Sequence, residues 1–181
     1  MSVTTSPSTS TSRLTSALVL VGFLALSFVV AAVGTVATIQ HVDGWYATAQ
    51  KAAWSPPNSL FGPVWTVLYT LMALAAWLVW RQRGPAGSAS RGMVRSALII
   101  YAAQLLLNFL WTPVFFALYP TIGGAALWLA LGIIVALDVA VPLTMRAFWP
   151  IDRVAAVLLL PYWLWVLFAT TLNLAVAMMN P

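Results

Sequence analysis

Five stretches of this chain are each long and apolar enough to cross a lipid bilayer, so lipid rather than water is the solvent in which most of it folds. A hydrocarbon core about 30 Å thick needs roughly 20 apolar residues at about 1.5 Å rise each. Runs of that length fall at about 14–39, 60–81, 94–118, 122–145 and 154–179. In lipid every backbone N–H and C=O must be satisfied within its own segment or within a closed barrel. Runs this long therefore read as helices, and the chain reads as an all-α membrane protein, a five-transmembrane-helix bundle. Only 6% of its residues are charged and 62% are hydrophobic, which leaves no composition for a separate water-soluble domain. Residues 1–13, rich in Ser and Thr, read as a disordered tail, and 14–181 as the membrane domain. Arg13 and the run behind it look at first like a cleaved signal, but the apolar stretch is about twice the length of a signal core, so it reads as the first helix.

The absence of cysteine removes disulfides, thiolate chemistry and sulfur-bound metals together. The net charge of +5 does not describe a nucleic-acid surface, because the basic residues sit at helix ends. Arg13, Arg81, Arg83, Arg91, Arg95, Arg146 and Arg153 fall on one side of the five-span topology and Lys51 alone on the other. The positive-inside rule then puts the N-terminus in the cytoplasm, and the first loop and C-terminus outside. That loop, residues 40–59, holds His41, Asp43, Trp45, Tyr46, Lys51, Trp54 and the pair Pro56–Pro57. Prolines stiffen it and half-wet rings suit headgroup depth. It reads as a lid, or more plainly as an aromatic interfacial anchor.

Polar and aromatic side chains recur at helical spacing on three spans. Gln104, Asn108, Trp111 and Phe115 are four, three and four apart on the third. Trp65, Tyr69 and Met72 share a face of the second, and Tyr162, Trp165, Ala169 and Asn173 a face of the fifth. Amides in hydrocarbon are unfavourable unless partnered, so Gln104 and Asn108 should face protein, as interhelical glue or as ligand contacts. Aromatic stripes turned inward favour a cavity for a flat apolar guest, although ring packing alone explains any single one.

Conventional catalysis has nothing to work with. The spans contain no His, Cys or Glu, and their one acid is Asp138, expected to be wetted or partnered across a helix interface. His41 is the only histidine, which excludes bis-histidine haem ligation within the chain, and His41 with Asp43 makes too few ligands for a metal. Small residues on the third and fourth spans, Ala102, Ala103, Gly123, Gly124, Ala126, Ala130 and Gly132, would let helices approach closely, within the chain or between chains.

Three blocks, in order, carry a resemblance: WYATAQKAAWSPPNSLFGPVWTVLY from Trp45 to Tyr69, QLLLNFLWTPVFF from Gln104 to Phe116, and PYWLWVLFATTLN from Pro161 to Asn173. Together they resemble the signature of the TspO family, that of the translocator protein or peripheral-type benzodiazepine receptor. The resemblance implies a five-helix protein, commonly a homodimer, that binds porphyrins such as protoporphyrin IX, sterols in some members, and isoquinoline or benzodiazepine ligands. It implies a pocket under the first loop, with Trp65, Tyr69, Asn108, Trp111, Trp165 and Ala169 at its matching positions. Trp54, Gln104, Phe115 and Tyr162 join them as candidates from the stripes and the loop. Some bacterial members are described as degrading porphyrin under light, and Trp65 and Trp165 match the two tryptophans implicated. The family's sterol motif near the chain end has no counterpart in Leu172–Pro181, which lacks Tyr, Lys and Arg.

The expectation is a multi-pass protein of a bacterial cell membrane that binds a tetrapyrrole as ligand, requires no cofactor or metal, and transports, senses or photodegrades its guest. The alternatives are a small carrier for sterols or other amphipaths and a purely structural membrane subunit.

Overall fold

A computed structural model describes residues 9–83 and 89–181. Among them every regular element is a helix: α1 (Thr9–Val42), α2 (Trp45–Thr48), α3 (Asn58–Arg81), α4 (Arg91–Phe116), α5 (Tyr119–Ile122), α6 (Gly124–Phe148), α7 (Arg153–Leu158) and α8 (Leu160–Met179). Five spans result, because α7 and α8 form one run, Arg153–Met179, with a break at Leu159. The shortest span has 24 residues, about 36 Å at helical rise, enough for a bilayer core. Most of the expected tail lies outside the described residues, and its last part, from Thr9, is already helical in α1.

The ends have local causes. Ser90 accepts the N–H of Met93 and caps α4, and Asp152 accepts that of Ala155 and caps α7. Pro161 has no N–H to donate to Val157 and its ring crowds that carbonyl, so the fifth span is interrupted two residues earlier, at Leu159. Gly123 takes φ 61°, a left-handed conformation suited to glycine, and turns the chain from α5 into α6.

The spans close into a ring in the order α1, α3, α7–α8, α6, α4 and back to α1. Alanine makes the tight contacts: Ala73, Ala75 and Ala76 on α3, Ala126 and Ala130 on α6, and Ala155 and Ala156 on α7 are fully buried. In lipid close backbone approach replaces the hydrophobic effect as the source of attraction. Of the small residues singled out on the third and fourth spans, Ala126 and Ala130 pack inside, whereas Ala102 and Ala103 are exposed and Gly132 faces open space. Outside, Leu18, Val21, Val36, Leu106, Trp128, Val139 and Leu164 stand exposed on all sides. Around a water-soluble monomer such a surface would be anomalous; around a bundle in acyl chains it is the expected one.

At the arginine-bearing end α3 packs closely on α7. Towards the other end α3 and α8 share few contacts, and α1 does not pack on α8. The helices therefore splay beneath the first loop, and that splay positions the site.

Candidate functional site

The splayed end holds a crevice of about 330 Å³. One wall is aromatic. Trp65 and Tyr69 from α3 lie with ring centroids 5.3 Å apart, Trp111 of α4 is 6.4 Å from Trp65, and Phe115 follows 6.2 Å from Trp111. The facing wall is α1, which contributes Ala31, Gly34, Thr35, Thr38, Ile39 and Val42. Thr38 donates to the carbonyl of Gly34 and Thr66 to that of Gly62, so these hydroxyls are bound within their own helices. Each keeps lone pairs to accept a bond from a guest. Gly34 faces Thr112 of α4, where a Cβ would make an ordinary van der Waals contact at 3.6 Å. Ala169, Leu172, Asn173 and Val176 of α8 complete the lining.

Hydrogen bonds lock the aromatic wall from behind. The Tyr69 hydroxyl donates to Asn108 Oδ1 at 2.6 Å, and Asn108 Nδ2 donates to the Tyr162 hydroxyl at 3.1 Å, joining α3, α4 and α8. Trp111 Nε1 donates to Asn173 Oδ1 at 3.0 Å, and Asn173 Nδ2 donates to the carbonyl of Leu127 on α6. Each asparagine thus accepts from one side of the bundle and donates to the other, so neither phenol nor indole can rotate freely.

The first loop roofs the crevice through α2. Trp45 Nε1 donates to the carbonyl of Phe116 and its ring stacks on Tyr119 with centroids 3.9 Å apart. Tyr46 lines the cavity, Lys51 Nζ lies 4.5 Å from its ring centroid, and burial pushes its phenol above the ordinary value, so it stays uncharged at neutral pH. Farther along, the Gln50 N–H donates to Asn180 Oδ1, Asn180 Nδ2 donates back to the Gln50 carbonyl, and Trp54 Nε1 donates to Thr171. The roof is tied down by these hydrogen bonds and by two small apolar clusters, Tyr46 among Phe115, Leu127 and Val176, and Ala52 against Leu172 and Ala175.

Of the residues singled out from sequence, Trp65, Tyr69, Trp111, Phe115 and Ala169 line the crevice. Asn108 and Tyr162 stand behind its wall, fully buried. Gln104 lies two helical turns inward from Trp111, buried, with neither amide atom hydrogen-bonded among the described residues. Trp165 is half-buried and separated from the cavity by Phe61, whose ring meets it edge-on at 5.8 Å; its indole N–H is shielded and has no partner there either. Trp54 is 56% exposed on the outside of the roof. Asp138 faces α8, where Thr170 donates to its Oδ2 at 2.7 Å and Trp163 to its backbone carbonyl. Among the described residues no three potential metal ligands come together.

The α1 wall and Phe61 were not among the sequence candidates. For α1 a weak signal was present, since Ala31, Gly34, Thr35 and Thr38 share one face, but small residues such as Ala25, Ala32 and Ala37 on its other faces hide that stripe.

A ring of five spanning helices around a roofed cavity, with apolar side chains all around the outside, defines an integral multi-pass membrane protein with a cavity of about 330 Å³ beneath its first loop. The profile of the TspO/MBR family matches residues 23–179. Curated relatives include the tryptophan-rich protein TspO of Archaeoglobus fulgidus, 39% identical over 81% of this chain and 87% of that one. The translocator protein of Homo sapiens is 38% identical over 75% of this chain and 76% of its own length, and the tryptophan-rich sensory protein of Cereibacter sphaeroides 38% over 87% and 91%. The chain belongs to the TspO/MBR family.

Proposed function

We propose that the crevice binds a flat, mainly apolar tetrapyrrole of the protoporphyrin class, inserted beside the Trp65–Tyr69–Trp111–Phe115 wall with its acidic groups towards Lys51. The observation that carries this reading is that aromatic wall. Acyl chains satisfy rings on the outside of a membrane protein equally well, so four rings turned inward along a cavity supply stacking surface for a planar guest. At about 330 Å³ the cavity is near the lower bound of roughly 300–1,000 Å³ for small-molecule sites. A drug-sized ligand fits the closed form; a whole macrocycle enters edge-first and requires the roof to move. The names of the relatives, translocator and sensory protein, support a carrier and a receptor alike.

The test is a titration of protoporphyrin IX against the full chain in nanodiscs, read by tryptophan quenching. Trp65→Ala is expected to weaken binding at least tenfold. Trp165→Ala should weaken it less, because Trp165 reaches the cavity only through Phe61. Unchanged affinity and quenching in Trp65→Ala would sink the assignment. Flux across liposomes separates a carrier from a receptor that saturates without moving its guest. Light-driven degradation requires an indole beside the excited macrocycle, a place the proposed pose gives to Trp65. Photobleaching no faster than that of porphyrin in detergent alone would remove that activity.

A further inference from the structure

The arginine-bearing end of the bundle carries a second concavity, distinct from the crevice and indifferent to what the crevice binds. It is an open groove of about 740 Å³ between the end of α3 and the first three turns of α4. Its mouth is formed by Trp80, Arg83, Arg91 and Arg95, and it continues along Leu98, Ile99 and Ala102. We propose that this groove binds one anionic phospholipid, its phosphate held by the three arginines and an acyl chain laid along the apolar floor.

Charge is the first argument. The whole chain has three acids, Asp43, Asp138 and Asp152. Only Asp152 stands at this end, and its two oxygens are engaged: Oδ1 caps α7 and Oδ2 accepts from Gln82. Among the described residues none of Arg83, Arg91 and Arg95 has an ion pair. Arg91 and Arg95 are one turn apart on α4, a spacing at which like charges repel. An anion between them turns that repulsion into bidentate guanidinium–phosphate bonding.

The second argument is shape. The Arg83 guanidinium lies 3.8 Å from the Trp80 ring centroid, which places a cation on an indole of the kind found at headgroup depth. From Arg95 to Ala102 the groove descends about 10 Å along α4 at helical rise, and Ile99 on its floor is 58% exposed. A free inorganic anion makes no use of that floor. A phospholipid uses both parts at once, its headgroup among the arginines and its chain along Leu98, Ile99 and Ala102.

The experiment is native mass spectrometry of the full chain released from neutral detergent, with phosphatidylglycerol or phosphatidylcholine of matched acyl chains. Phosphatidylglycerol should be retained several-fold more strongly, and R83Q/R91Q/R95Q should bring it down to the phosphatidylcholine level. R13Q/R146Q/R153Q, which removes the same charge from the same end outside the groove, should keep at least half of the preference. Ala102→Trp, which fills the floor and alters no charge, should also lower retention. An equal loss in the two triple variants would mean that a diffuse field attracts the lipid and would overturn the site. Equal retention of the two lipids, or displacement of phosphatidylglycerol by equimolar inorganic phosphate, would overturn it as well. Melting profiles matching the unsubstituted chain show that the variants are folded.

Discussion

Two tryptophans eleven positions apart in sequence, Trp54 and Trp65, sit in different surroundings. Trp65 is held against Tyr69 and Trp111 in the wall of the crevice, whereas Trp54 touches the bundle through one hydrogen bond to Thr171 on the outer surface. Losing stacking area from a desolvated wall costs a ligand more than about 1.4 kcal/mol, the tenfold loss expected for Trp65→Ala. Trp54→Ala should leave affinity within about twofold, because an exposed side chain gives up little on truncation; a tenfold loss there would move the guest to the outside of the roof. Asn108 is a residue of another kind, since it does not line the crevice itself yet holds Tyr69, which does, and Tyr162 behind it. Asn108→Ala removes both hydrogen bonds and leaves two buried phenols without them. Interhelical bonds in membranes average about 0.6 kcal/mol, and an orphaned buried group adds about 1–3 kcal/mol. A loss of about 1–3 kcal/mol in unfolding free energy is therefore expected, with ligand affinity falling as Tyr69 loosens. Reversible unfolding in mixed micelles and the porphyrin titration measure the two effects separately.

At the scale of elements, the roof depends on the packing of the chain's last residues. A Cβ on Gly124, at the start of α6, would come within 2.6 Å of the Pro181 backbone. Gly124→Ala must therefore displace the segment that holds Asn180 on Gln50. The amide of Gln50 should then exchange its hydrogen faster than in the unsubstituted chain, as it should in Asn180→Ala, while amides in the middle of α6 keep their protection. Unaltered exchange at Gln50 in both variants would show that the roof is held elsewhere.

The five spans were legible because hydropathy at bilayer length is a strong, local signal. Their ends were not, since capping by Ser90 and the extra turns of α1 and α6 depend on where water begins. The four-residue helices α2 and α5 carry too short a pattern to read, and the break before α8 was written in Pro161 but looked like part of one apolar run. The site was legible in halves. The stripe of Gln104, Asn108, Trp111 and Phe115 does face inward, but only its outer two residues reach the cavity, because α3 and α7 converge at the other end and fill the interior there. That convergence is tertiary, and no periodicity within α4 encodes it.

Across the whole molecule, charge and cavity lie at opposite ends. Seven arginines mark one end, and the crevice with its roof and Lys51 marks the other. Under the positive-inside rule the arginine end belongs in the cytoplasm, so the crevice would open towards the outer leaflet and a guest would arrive from that side. In that orientation the proposed lipid groove would lie in the inner leaflet, where positive charge is attracted to lipid headgroups. The chain has no cysteine, so one introduced thiol reports one position. Ala53→Cys, exposed on the roof, should react with a membrane-impermeant maleimide in intact cells, and Gly92→Cys, where a Cβ meets nothing within 4 Å, only after the membrane is breached. The reverse pattern would invert the protein, and porphyrin supplied from outside would then have to cross the bilayer before it could reach Trp65.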